Sequence, residues 1–356
     1  MTGTSAHLAS PRPAAATSRG SLLCAELGRL RHRRLVSALV LLGLVALLAA
    51  MAAVFATHST DVEAAHAVAR QQAAQATAEQ KVFEQRCLDD PSIPQVDKDN
   101  GACGSGTLTE DVFFSDPRFR ADRDLPVVAI GVGIGGALLA SLLAATATGA
   151  DWSSRSIITL FTWEPRRLRL LGTRLLAIAV YVAAFGVAAQ ALALGLGALT
   201  VQLRGTWQAS PLGDPQTGPS RDGMLSPDRF WPELITLQAR TVVVMVLVAL
   251  MSAALATVFR STGGVLGVAF GWFAVVEIAV HAFFSGRGVL RYMLTENLVA
   301  ALMPGGSTLY VGQRVTADGV VPNMVHLSNW AGLAYLGVVT TALCALAAVL
   351  LRRRDL

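Results

Sequence analysis

Lysine is nearly missing from this 356-residue chain: Lys81 and Lys98 stand against 27 arginines. A Walker loop needs a lysine after a Gly-rich turn to reach the nucleotide phosphates. These two are followed by Val82 and Asp99, so the chain carries no P-loop ATPase site of its own. Charge of either sign is scarce, at 15% of residues against roughly 25% in a soluble protein. HExxH, CxxC and GxSxG are absent, which removes the zinc-protease, thiol-redox and serine-hydrolase readings. Tandem repeats are missing too, and no apolar stretch gathers a nucleophile, a base and metal ligands. Neither a catalytic residue nor a metal site is expected.

What the chain has is apolar length. Hydrophobic residues make up 53% of it, with a mean hydropathy of +0.51, and they come in blocks of about 20, enough to cross a hydrocarbon layer of roughly 30 Å. The blocks give six spans: 35–56, 126–147, 175–201, 241–259, 264–284 and 330–351. The first is too long for a signal-peptide core of about 7–15 residues and lies behind a 34-residue tail, so it reads as a retained anchor. The expected fold class is an all-α polytopic membrane protein with six transmembrane helices.

The net charge of +5 would point to nucleic acid in a soluble chain. Here its distribution assigns it to topology, and no nucleic acid partner is expected. With the N-terminus cytoplasmic, the inside segments sum to +11 and the outside segments to −5, with Glu277 left within a span. Arg29, Arg31, Arg33 and Arg34 precede the first span and Arg352–Arg354 follow the last, where the positive-inside bias acts. Both termini read as cytoplasmic, in a multi-pass protein of the cell membrane. Cys87 and Cys103 then share the long first extracytoplasmic loop, and compartment chemistry pairs them as a disulfide; the alternative is two free thiols.

Between the spans, residues 1–20 are Ser/Thr/Ala/Pro-rich and expected to be disordered. A membrane domain then runs over 21–351, with an insertion at 57–125, and a basic tail occupies 352–356. From Ser21, Leu22, Leu23, Leu27 and Leu30 line one face of a basic helix suited to the inner membrane surface, or to a flank that only sets topology. Residues 61–85 lack Gly and Pro and read as a helix; 202–240 reads mostly as loop. In 288–304, Leu290, Met293, Leu294, Leu298 and Leu302 suit an amphipathic helix on the outer surface. The GxGxxG match at Gly131–Gly136 lies inside the second span, with no strand before it, and reads as small residues for helix packing.

Two constellations stand out. In the fifth span Gly263, Gly267, Gly271, Ala274, Glu277 and His281 fall within an arc of roughly 120° at 100° per residue. The face is small toward the inside and ionisable toward the outside: a dimer seam or pathway wall, or a Glu–His contact near the interface. The inside segment 148–174 is the second. Gly149 can end the second span, Asp151 or Ser153 can cap a short helix, and Pro165 suits the first turn of the next. Trp152, Phe161 and Trp163 stand among Arg155, Arg166, Arg167 and Arg169. Aromatics beside arginine read as a docking element or as anchors at the inner interface.

On these features the chain resembles the permease subunits of type-2 ABC exporters, in particular actinobacterial-like members. The likeness rests on the basic helix before span one, six spans with both ends inside, the surface helix after span five, and the run Asp151 … Ile157-Ile158-Thr159-Leu160 … Trp163-Glu164-Pro165-Arg166-Arg167 … Arg174. The family often has Glu at the place of Asp151 and Gly-Thr near Arg155-Ser156, and its first outside loop is often shorter. The resemblance implies that 151–165 is a coupling helix seated on a separately encoded ATP-binding subunit, through Asp151, Trp152, Arg155, Phe161, Trp163, Glu164, Pro165, Arg166 and Arg167. It implies that ATP and Mg are bound by that subunit and none by this chain. It also implies two permease chains, identical or not, pairing near the fifth span within the lipid bilayer to export a substrate. Two readings stand beside it: a proton-coupled secondary transporter using Glu277 and His281, and a non-transporting sensor or scaffold built around 57–125.

Overall fold

A computed structural model describes residues 19–95, 98, 103–104, 108–153, 166–207, 225, 227–284, 286–316 and 319–353. The first 18 residues of the N-tail, segment 154–165 and the last three residues lie outside the described residues. Among the described residues helices dominate, and six are long and apolar enough to cross a membrane. They are α2 (Arg34–Thr57), α5 (Ala121–Ser153), α6 (Arg167–Arg204), α7 (Phe230–Phe259), the composite helix Thr262–Phe284 and α11 (Asn329–Arg353). Each contains an expected span and overruns it. Gly149, which can end the second span on sequence grounds, does not end it: α5 continues to Ser153. Gly149 is used for contact instead: a Cβ there would lie 2.6 Å from the backbone nitrogen of Thr262.

The remaining helices lie at the two ends of the bundle. α1 (Arg19–His32) precedes α2. α3 (Val62–Asp89) starts on an N-cap in which the Asp61 carboxylate accepts from the Ala64 N–H, and α4 (Glu110–Phe113) packs against it. The fifth span is α8 (Thr262–Gly271), a π-helical turn at Trp272–Glu277, and α9 (Ile278–Phe284). α10 (Leu294–Leu302) comes after a 3₁₀ turn at Gly288–Tyr292.

Packing centres on α7, which lies against α5, α6, α10 and α11. Its contact with α5 and α6 is lined by Ala137, Ala140, Ala144, Ala147, Ala177, Ala249 and Ala253 around Ile178, Val182 and Met245. Lipid chains are as apolar as leucine, so helices in a membrane gain by close backbone approach, and alanine and glycine allow it. Two of the GxGxxG glycines serve this contact: a Cβ on Gly133 would meet Thr241 at 2.8 Å, and one on Gly136 would meet Met245 at 2.5 Å. At one end, parallel strands β1 (Phe119–Arg120) and β2 (Gly205–Thr206) tie the start of α5 to the end of α6.

The 285–329 region departs from expectation. The amphipathic helix is interrupted at Met293, and α10 is not a surface element. Asn297, Ala300, Ala301 and Leu302 are buried, and Ala301 and Leu302 share a core with Val244 of α7 and Leu336 of α11. After α10 the chain forms an antiparallel hairpin, β3 (Ser307–Thr316) with β4 (Gly319–Leu327), pairing Leu309 with Val325 and Tyr310 with Met324.

Candidate functional site

At the end of the bundle that carries Arg352 and Arg353, the last turn of α5 places Asp151 between α1 and α6. Its side chain keeps 2% of its surface. Arg29 donates to Oδ1 at 2.9 Å, Arg33 donates to the same oxygen, and Arg174 donates to Oδ2. Arg33 and Arg174 also donate to the Ala147 carbonyl, at 2.6 and 2.7 Å. A helix C-terminus presents unpaired carbonyls and partial negative charge, so three guanidinium groups on one carboxylate there complete the end of α5. The clamp fastens α1, whose Leu30 is buried among the alanines of the core with Leu23 and Leu27 beside it.

This alters the part Asp151 can play. A buried carboxylate under three arginines is not a contact residue; it positions the chain on either side. Trp152 is half-buried, with the Arg260 guanidinium 4.8 Å from its ring centre. Across the gap, Arg166, Arg167, Leu168 and Arg352 line an open cavity of about 350 Å³. Arg155, Phe161, Trp163, Glu164 and Pro165 lie outside the described residues.

The fifth span divides the face drawn from the sequence. A Cβ on Gly267 or Gly271 would meet nothing within 4 Å, and Gly263 has only Ser261 Oγ near that limit. These three glycines therefore have no partner helix within the described residues. Glu277 is 4% exposed and turned against α10. The π turn at Trp272–Glu277 separates the two halves, because a wider turn changes the angle per residue that a regular helix keeps. Glu277 Oε1 accepts from Trp272 Nε1 at 2.9 Å and from the backbone N–H groups of Leu294 and Thr295 at 2.9 and 3.2 Å. It thus caps α10, whose own N-cap, Met293, has no side-chain acceptor. His281 does not reach the carboxylate. Its Nδ1 donates to the main-chain carbonyl of Glu277 at 2.8 Å, and its Nε2 lies 2.9 Å from Glu296 Oε1. Both partners are acceptors, so the geometry suits an imidazolium with two donors.

At the other end Cys87 and Cys103 form a disulfide, with Cα atoms 5.6 Å apart. Nearby, His66 stacks on Phe114 with ring centres 4.0 Å apart and bonds Glu110 at 2.6 Å, which holds α4 to α3. In the return segment the Arg118 guanidinium beside Asp116 holds its carboxyl below the ordinary carboxylate range. Among the described residues no group of His, Cys, Asp and Glu could hold a metal ion.

Sequence reasoning missed three features here: the partnership of Arg29, Arg33 and Arg174 with Asp151, the role of Glu296, and the cap on α10. The cap comes from Glu277, 17 residues before Leu294, and nothing local to α10 signals it. For Arg29 and Arg33, separations of more than 100 residues gave no signal, and Arg174 is 23 residues from Asp151 on the next long helix. No protein family, curated protein or solved structure matches this chain.

Proposed function

We propose that the chain is the membrane-spanning permease subunit of an ABC transporter, an exporter, driven by a separately encoded ATP-binding subunit. The observation that carries this reading is the Asp151 clamp. It joins an amphipathic basic helix to the ends of two long apolar helices, on both sides of a segment rich in arginine and aromatic residues. Such an arrangement suits a docking element that must transmit force: the element at 151–165 is short, and its base is fixed by charge-assisted bonds to three helices. In this reading the end bearing Arg29, Arg33, Arg174 and Arg352 faces the cytoplasm, as the positive-inside bias requires, and the disulfide faces the oxidising side. ATP and Mg belong to the partner, because this chain has no Walker lysine. Two permease chains pair through the unpartnered glycine face of the fifth span. Proton coupling through Glu277 and His281 has less behind it, since the carboxylate caps α10 and the imidazole is engaged by Glu296.

The test is recovery of partners from the native host after mild solubilisation, with wild type beside Glu164→Ala/Arg166→Ala. An ATP-binding subunit that accompanies wild type and is lost from the variant is the expected result. Absence of any ATPase from wild type, under conditions that preserve other complexes, would overturn the reading.

A further inference from the structure

Three arginines are buried among the described residues, and two have their acids: Arg174 pairs with Asp151, and Arg120 with Asp122 at 2.8 Å. Arg240 is the exception. It retains 9% of its surface, its Nε is sealed from solvent without an acceptor, and no described carboxylate pairs with it. The terminal nitrogens are not sealed in this way, so the guanidinium opens on one side only, and an unpaired charge so largely withdrawn from water is costly. On α7, Leu237 one turn before it packs on Ala129 and Ile130, and Val244 one turn after it packs on Ala301, Leu302 and Leu336.

Depth narrows what could complete the site. Arg260 ends α7 at the basic end in a left-handed conformation, with φ of 55°. Arg240 is roughly 20 residues away along the helix, which at about 1.5 Å per residue is about 30 Å. That equals the hydrocarbon thickness of a bilayer, so Arg240 stands where the phosphates of the opposite leaflet lie. A planar guanidinium with parallel N–H donors matches a phosphate in two-point contact.

We propose that Arg240 is the recognition point for one phosphate group entering the membrane domain at the disulfide end, carried by a lipid head group or present as a free anion. The inference rests on the chain lying in a bilayer and not on its being an ABC permease.

Thermal unfolding of the purified full chain in a neutral detergent tests it, with phosphatidylglycerol, its phosphate-free counterpart dioleoylglycerol, or inorganic phosphate added. For wild type and for Arg314→Gln, an exposed arginine on β3, phosphatidylglycerol is expected to raise the midpoint by about 2–4 °C and dioleoylglycerol to leave it unchanged. Arg240→Gln is expected to unfold at or above the wild-type temperature without additive, since it removes an uncompensated charge, and to show no response. An equal rise with inorganic phosphate, also lost in Arg240→Gln, would identify the free anion as the source and keep the site. A wild type indifferent to both anions, a full response in Arg240→Gln, or earlier unfolding of that variant without additive would overturn the proposal.

Discussion

Asp151 shows how much one side chain can hold. Its three guanidinium partners come from the chain on either side of α5, and one of them, Arg174, is nearly as buried as the carboxylate itself. Arg29 and Arg33 keep about a quarter of their surface, so water screens their share. Removing the carboxylate charge therefore acts mainly by leaving Arg174 buried without an acid. Asp151→Asn is expected to cost about 3–5 kcal/mol, the range for breaking a buried pair from one side. Loosening of α1 should appear as faster trypsin cleavage at Arg29, Arg31 and Arg33 at temperatures where the bundle is still folded. Unchanged cleavage together with an unchanged unfolding midpoint would show that the clamp holds nothing. The sequence marked Asp151 and each arginine separately, as a docking residue and as topology signals. Their meeting was not legible, because nothing local to Arg33 reports the position of a carboxylate 118 residues away.

Among the elements, those that obey one period were the legible ones. Six apolar runs read as six long helices, and the Gly- and Pro-free stretch after Asp61 reads as α3. Where the period changes, reading fails. The π turn at Trp272–Glu277 puts Glu277 and the glycines in different environments although regular geometry gave them one face. The β3–β4 hairpin is hard to read although Asp318-Gly319 is a turn signal, because the alternation in Leu309–Val315 is short and broken by Gly312. The contact between α10 and α11 was hidden for another reason: it depends on a glycine whose neighbour lies far off in sequence. A Cβ on Gly332 would stand 2.5 Å from the Asn297 carbonyl oxygen and 2.9 Å from the Ala301 nitrogen. Both are backbone atoms of a packed helix and cannot swing aside. Gly332→Ala should push α10 off α11 and cost about 1–3 kcal/mol, the usual penalty for overpacking. Gly337→Ala in the same helix meets nothing within 4 Å and should gain up to about 1 kcal/mol from helix propensity. Thermal unfolding of the two variants side by side decides the point, and a loss in both or in neither would refute the close contact as the cause.

At the scale of the whole molecule, the bundle is unevenly finished. The apolar window of α7 is half buried inside the chain, whereas those of α2 and the fifth span are only 11% buried. Lipid can cover Phe270, Val275, Ile278 and Phe283, which are exposed and large. Glycine gains nothing from lipid, however, and costs about 1 kcal/mol relative to alanine in a helix interior. Gly267 and Gly271, one turn apart with open space in front of both, suit the close approach of another helix, and within the described residues no helix makes that approach. A second copy of the chain, or a related one, would supply it. Gly267→Leu/Gly271→Leu separates pairing from folding, because each new side chain enters empty space in the single chain and improves helix propensity. The variant should unfold at or above the wild-type temperature yet run at half the wild-type protein mass in light scattering of the detergent-solubilised particles. A variant that still pairs would mean that these glycines face lipid and that the seam lies elsewhere, with the exposed face of α2 next to be tried. A variant that fails to fold would mean that the face is already occupied within one chain, and pairing through the fifth span would have to be given up.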